Sequence, residues 1–257
     1  MTDHILVAVA WPYANGRLHL GRVAGALLPA DIFARYQRLR GNRVLMVSGS
    51  DGHGTPITIA ADQQGISPRT LFEQYHQDFL ESQLALGISF DLFTHTDTEN
   101  HHRVAQAIFR KLYDKGYIQP RTQKLLYSEV EQRFLPDRYV TGICPNCGFV
   151  EARGDQCDEC GHLYDAVELI RPRSMLDGSR PVVRESTHLF FDLPAFSEQL
   201  IAYLDAHAHH WRSHTLNLTR GFIENGLAER PFTRDLDWGI DVPVSGWEGK
   251  KLYIWAE

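Results

Sequence analysis

Apolar positions follow two rhythms along this chain. Ile5 to Ala10 is an unbroken apolar run closed by Trp11-Pro12-Tyr13-Ala14-Asn15-Gly16. Val44-Leu45-Met46-Val47 is a second, closed by Ser48-Gly49-Ser50-Asp51-Gly52-His53-Gly54. Short apolar runs bounded by turn residues fit strands buried on both faces of a parallel sheet. Between them a helical pattern begins near His19 and runs to about Leu39, with Gly41-Asn42 as its stop. Pro29 lies inside that pattern and predicts a kink or a break. Strand, helix, strand is the opening of a parallel α/β sheet with right-handed crossovers. Ser67-Pro68 then supplies the N-cap and first position of another helix, whose stripe is Leu71, Phe72, Tyr75 and Phe79 and whose end is Gly87. Phe90 to Phe93 reads as a short strand, and a further helix carries Val104, Ile108 and Leu112 as far as Gly116.

After about Ile118 the rhythm breaks into short segments with frequent Gly and Pro, the pattern of a small inserted module. Helical spacing returns over Phe196 to Leu204 and Leu216 to Glu224, and a last strand is expected over Leu252-Tyr253-Ile254-Trp255. The expected organisation is an α/β domain over 1–116, an insert over 117–230 and a return to the first domain over 231–257.

Four cysteines fall inside the insert as two CxxC units, Cys144-Pro145-Asn146-Cys147-Gly148 and Cys157-Asp158-Glu159-Cys160-Gly161. Each turn presents two sulfurs to one ion, the glycine after it permits a tight return, and two turns complete a tetrahedral thiolate shell for zinc. Such a shell has no open position for water, so the metal is expected to be structural. The alternatives are two disulfides or four free thiols. His162 follows the last cysteine and is read as a neighbour. With 43% hydrophobic residues the chain supports a real core, and a formal net charge of −6 advertises no indiscriminate nucleic-acid binding. No run resembles a signal peptide or is long enough to span a bilayer, so a cytoplasmic protein with no membrane partner is expected.

Pro12 to Arg22 follows a strand and opens a helix, a place where unpaired N–H groups and the helix dipole suit phosphate. A histidine there can stabilise charge developing in an in-line transfer. Read as residues alone, His19 is either such a group or a surface histidine on a turn. Asp51 is either a ligand carboxylate or a loop cap. Tyr13, Trp11 and Trp255 are either pocket walls or core, and His53 either lines a pocket or supports Asp51. The pairs His101-His102 and His209-His210 read as solvated faces, and Arg234 meets either substrate or a neighbouring acid.

The segment Pro12 to Arg22 resembles the His-Ile-Gly-His signature of class I aminoacyl-tRNA synthetases, in the Pro-Tyr-Ala-Asn-Gly context of methionyl-tRNA synthetases. Arg40-Gly41-Asn42 with Ser50-Asp51-Gly52-His53-Gly54-Thr55-Pro56 resembles that family's second block. Phe134 to Val140 and Phe190 to Pro194 are similar to its connective-domain blocks, and Arg234-Asp235, Trp238-Gly239 and Val242-Pro243 to its return to the sheet. The likeness covers essentially the whole chain. It implies a Rossmann-like parallel sheet with a zinc-binding connective insert, activation of methionine by ATP with magnesium, and transfer to tRNA(Met) in the full-length enzyme. It implies that His19 and Arg22 act on the ATP phosphates, with Asn15 and Gly21 lining the same ATP pocket. It also implies that Trp11, Tyr13, Asp51 and Trp255 hold methionine, Asp51 pairing with the ammonium. Cys144, Cys147, Cys157 and Cys160 would hold the zinc.

Two departures stand out. Arg22 occupies the place of the signature's second histidine, with a longer side chain that is always charged. No Lys-Met-Ser-Lys-Ser-like segment follows before Glu257. The expectation is a partial chain with little or no aminoacylation of its own. Two other readings remain: a tRNA-independent paralogue that activates an amino acid for different chemistry, and a non-catalytic zinc-stabilised binding module.

Overall fold

The computed structural model describes residues 2–257. β1 (His4–Ala8), β2 (Arg43–Ser50) and β3 (Leu92–His95) form a three-stranded sheet in that order, every pair parallel. The crossover from β1 to β2 starts with α1 (Leu20–Arg22), passes through a π-helical turn over Val23–Leu27 and continues as α2 (Leu28–Leu39). The break expected at Pro29 therefore lies one turn earlier. Proline has no N–H to give and its ring crowds the carbonyl four residues back, so the irregularity falls on the preceding turn while Pro29 sits comfortably at the start of α2.

The second crossover holds two helices. α3 (Thr55–Gln64) has no counterpart in the sequence pattern, and α4 (Pro68–Ala85) starts where expected, with the Ser67 hydroxyl accepting from the Thr70 N–H at 3.0 Å. Leu71, Phe72 and Phe79 are fully buried against Ala14, Ile57 and Ala61. α5 (Glu99–Asp114) is capped by Thr98. Its core-facing residues are Ala105 and Phe109, whereas Val104 and Ile108 are exposed, so the expected stripe is rotated by one position.

Beyond Ile118 the segments are not uniformly short. β4 (Ile118–Ser128) pairs along ten residues with β9 (Val182–Phe191), and the short strands β5 (Arg133–Phe134) and β10 (Arg230–Pro231) flank this antiparallel ribbon. The cysteine turns sit on a separate three-stranded sheet of β6 (Val140–Ile143), β7 (Ala152–Arg153) and β8 (Ile170–Ser174), in the order β7-β6-β8. α6 (Ser197–His207) and α7 (Ser213–Glu224) follow the ribbon. The chain returns through β11 (Thr233–Arg234), which pairs with β12 (Lys251–Leu252). The strand expected over Leu252–Trp255 ends at Leu252, and Ile254–Ala256 is a 3₁₀ turn. Ile240, Val242 and Leu252 bury themselves with Phe109, Ile118 and Leu189, joining the returning segment to α5 and the foot of the ribbon.

Candidate active site and metal centre

β1 and β2 are neighbours and parallel, so the loops leaving them emerge at the same edge of the sheet. Backbone hydrogen bonds fasten the loops together: the Asp51 N–H donates to the Pro12 carbonyl and the Ala14 N–H to the Asp51 carbonyl, both at 2.9 Å. Tyr13 and Asp51 thereby become paired residues of a parallel bridge. Trp11, Tyr13 and Arg22 line one cavity of about 220 Å³ with Ala10, Pro12, Ala26 and Leu27. Arg22 reaches back along the loop, its Nη1 donating to the Tyr13 carbonyl at 3.1 Å. Trp11 lies over Gly49 of β2, where a Cβ would come within 2.9 Å of its ring and 2.7 Å of the Thr94 carbonyl.

His19 is exposed at the N-cap of α1, its Nδ1 accepting from the Arg22 N–H at 3.3 Å. A side chain at Gly21 would press on that ring at 3.0 Å. Asn15 is half-buried in the same loop. Trp255 is 78% exposed on the 3₁₀ turn, outside the cavity lining. The turn itself does abut the Asp51 loop: Ile254 packs over Gly54, and the Glu257 carboxylate takes the His53 Nδ1–H at 2.8 Å. Arg234 stacks 4.0 Å over the Tyr253 ring and donates to the carbonyls of Pro231 and Thr233, so its nearest partners are backbone and an aromatic face.

Burial pushes the Asp51 carboxyl up to about 7, opposed by the His53 backbone N–H and reinforced by the nearby Glu257 charge. Burial also pushes the Tyr13 hydroxyl up to about 12, helped by Asp51. Burial alone would lower His53, but Asp97 and Glu257 outweigh it and hold the imidazole at about 9. Sequence reasoning missed this surrounding cluster. Asp97, His101, His102 and Glu257 gather around His53, so His101 and His102 are half-buried and not a solvated face. They open α5, whose first turn points at the end of β2. The capping Thr98 before them was the available signal. Trp238 was noted only as part of a block, yet its Nε1–H donates to the Gly52 carbonyl at 2.7 Å and ties the returning segment to the Asp51 loop. His209 and His210 are exposed as expected.

In the insert the four cysteine sulfurs converge without forming a disulfide. Sγ–Sγ separations of 3.9 Å for Cys144–Cys160 and 3.6 Å for Cys147–Cys157 bracket the roughly 3.8 Å edge of a tetrahedron with 2.3 Å Zn–S bonds. Gly148 and Gly161 both take left-handed φ, 78° and 71°, as the tight return after each knuckle requires. The Asn146 and Cys147 N–H groups point at the Cys144 sulfur, the donor arrangement a thiolate needs. The residues present fit a closed zinc site made of four thiolates. His162 lies outside the set.

The family model of the tRNA synthetases class I (M) matches residues 5–257. The chain is 61% identical over 257 residues to a methionine–tRNA ligase of Thermomicrobium roseum and 57% identical over 260 residues to one of Roseiflexus, covering 100% of this chain and 44% of each relative. It thus spans less than half the length of these curated relatives. The methionyl-tRNA synthetase of Mycobacterium tuberculosis, solved with methionyl-adenylate, superposes with a TM-score of 0.72 at 24% identity, over 100% of this chain and 45% of that one, which shows a shared fold. No described helix is long and apolar enough to cross a membrane. With a matching family model over nearly its full length, the chain belongs to the class I tRNA synthetases of the methionyl type.

Proposed function

We propose that this chain forms the amino-acid-activating part of a methionine–tRNA ligase. The methionine carboxylate attacks the α-phosphate of ATP, pyrophosphate leaves, and the methionyl group of the adenylate passes to tRNA(Met). The observation that carries the reading is the backbone pairing of Tyr13 with Asp51 beside a cavity walled by Trp11 and Arg22. A desolvated carboxylate at that place binds an ammonium strongly. Tyr13 covers the amino acid, and Trp11 offers an aromatic wall to a thioether, a contact of about 0.3–1.5 kcal/mol. Trp255, exposed and outside the cavity lining, is assigned to the methionine site through its 3₁₀ turn, which touches the Asp51 loop.

His19 and Arg22, with Asn15 and Gly21, are assigned to ATP. The exposed His19 stands at a helix start, where charge building on the phosphates is stabilised. Magnesium, when bound with ATP, neutralises phosphate charge. No covalent nucleophile is needed, because positioning and electrostatics suffice. We further propose that the four-cysteine site holds a structural zinc in a reducing cytoplasmic setting, and that 1–116, 117–230 and 231–257 are the functional divisions of the chain.

The test is methionine-dependent exchange of pyrophosphate into ATP by the full-length protein. Asp51→Asn is expected to lower kcat/KM for methionine about 100-fold, the loss of a charge-assisted pair. Exchange that ignores methionine, or that survives Asp51→Asn at full rate, would overturn the reading.

A further inference from the structure

Beside Asp51 the described residues include a second set of metal-ligating groups, far in sequence from the cysteines. His53 comes from the loop after β2, Asp97 from the turn between β3 and α5, and His102 from the first turn of α5. Their donor atoms lie within 4.8 Å of one another. Asp97 Oδ1 is 3.5 Å from His53 Nε2 and 3.3 Å from His102 Nε2. Both Nε2 atoms are buried and lack a hydrogen-bond partner. These separations match the roughly 3.3 Å between neighbouring ligands of an ion bound tetrahedrally at about 2.0–2.1 Å.

The groups around the triad prepare it for an ion. The Glu257 carboxylate holds the His53 Nδ1–H at 2.8 Å, the carboxylate–imidazole arrangement that orients the ring, and Nε2 becomes a lone-pair donor when an ion displaces its proton. Arg69 Nη1 meets Asp97 at 2.7 Å through Oδ2, so Oδ1 stays available to the two imidazoles. His53 and Asp97 side chains are 1% and 5% exposed, while His102 is 32% exposed and gives the route in. Unpartnered nitrogens at such burial cost free energy that a cation would recover. Thr98 caps α5 immediately beside Asp97, which fixes the spacing of the second and third ligands.

We propose that His53, Asp97 and His102 bind a divalent transition-metal ion of the zinc class, separate from the zinc of the cysteine turns. Two imidazoles with one carboxylate favour such ions over magnesium or calcium, and three protein ligands leave a position open. The ion would clamp the loop after β2 to the start of α5, immediately behind the Asp51 carboxylate, whose Oδ1 accepts the His53 N–H at 3.3 Å. The proposal does not depend on which amino acid Asp51 receives.

The experiment counts metal in the full-length protein after zinc loading and desalting, then titrates Co²⁺ into protein whose cysteine site is already filled with zinc. Two zinc ions per chain are expected in the unaltered protein and one in Asp97→Asn and His102→Ala. Added Co²⁺ should give weak d–d bands without thiolate charge transfer, and either substitution should weaken it at least tenfold. Magnesium should not compete. His101→Ala, whose ring neighbours Glu257 and not the triad, should keep the second ion and so report that the first turn of α5 is intact. One ion in the unaltered protein, a second ion that survives both ligand substitutions, or its loss in His101→Ala as well would each overturn the assignment.

Discussion

Asp51 keeps its proton far beyond the usual carboxylate range because burial penalises the charge. The folded chain binds this proton up to about pH 7, whereas the unfolded chain releases it near 4. Between those values the native state holds more protons, so this group lowers stability as pH rises through that window. In the proposed function the same proton competes with methionine. KM for methionine in pyrophosphate exchange is therefore expected to rise about tenfold per pH unit below 7, with the dependence flattened in Asp51→Asn. A KM that is flat from pH 5.5 to about 7.5 would count against a proton held on Asp51. Asp51 and Tyr13 were legible because each sits where an apolar run ends. Asp97, His102 and Glu257 were not, because each belongs to a different stretch of chain and only the folded sheet edge puts them around His53.

Among the elements, the two apolar strands and the capped helix after Ser67 could be placed from the sequence. β1 and the start of β2 are nonetheless exposed on one face, with Leu6 at 64% and Leu45 at 52%, and not buried on both as expected. α3 could not be placed. Ile57, Ile59, Ala60 and Ala61 give it apolar residues on several sides, since it packs on α4 and on the insert together, and its exposed polar residues Asp62, Gln63 and Gln64 gather at its end and form no stripe. The β4–β9 ribbon was hidden for a different reason. Its middle rungs are polar pairs such as Thr122–Thr187 and Lys124–Glu185, each formed across some sixty residues, so no local alternation announces them. β2 carries a constraint visible only in three dimensions. Gly49→Ala would drive a methyl into the Thr94 carbonyl and the Trp11 ring. We expect a loss of about 1–3 kcal/mol in denaturant stability, accompanied by a change in Trp11 fluorescence. A variant as stable as the parent would mean that the Trp11 ring and β3 yield more easily than their packing indicates.

Across the whole molecule, two cores meet at one short helix. The insert buries Tyr139, Val140 and Leu169 around Cys144 and Cys157, and Ile59 of α3 packs against that cluster. Asp62 of the same helix accepts from the Tyr139 hydroxyl and the Arg133 guanidinium, both at 2.8 Å. α3 begins at Thr55, four residues after Asp51. A helix gripped at its far end by the insert and rooted at its near end in the Asp51 loop has the geometry of a lever. If Asp51 receives the amino acid as proposed, a tilt of the cysteine-bearing module would be delivered to that carboxylate through α3. Asp62→Ala should loosen that grip and raise KM for methionine roughly three- to tenfold, an energy within the usual range of coupling between sites, while zinc content stays unchanged. Steady-state kinetics beside metal analysis would read this directly, and an unaltered KM in the folded variant would leave α3 a strut and not a transmitter.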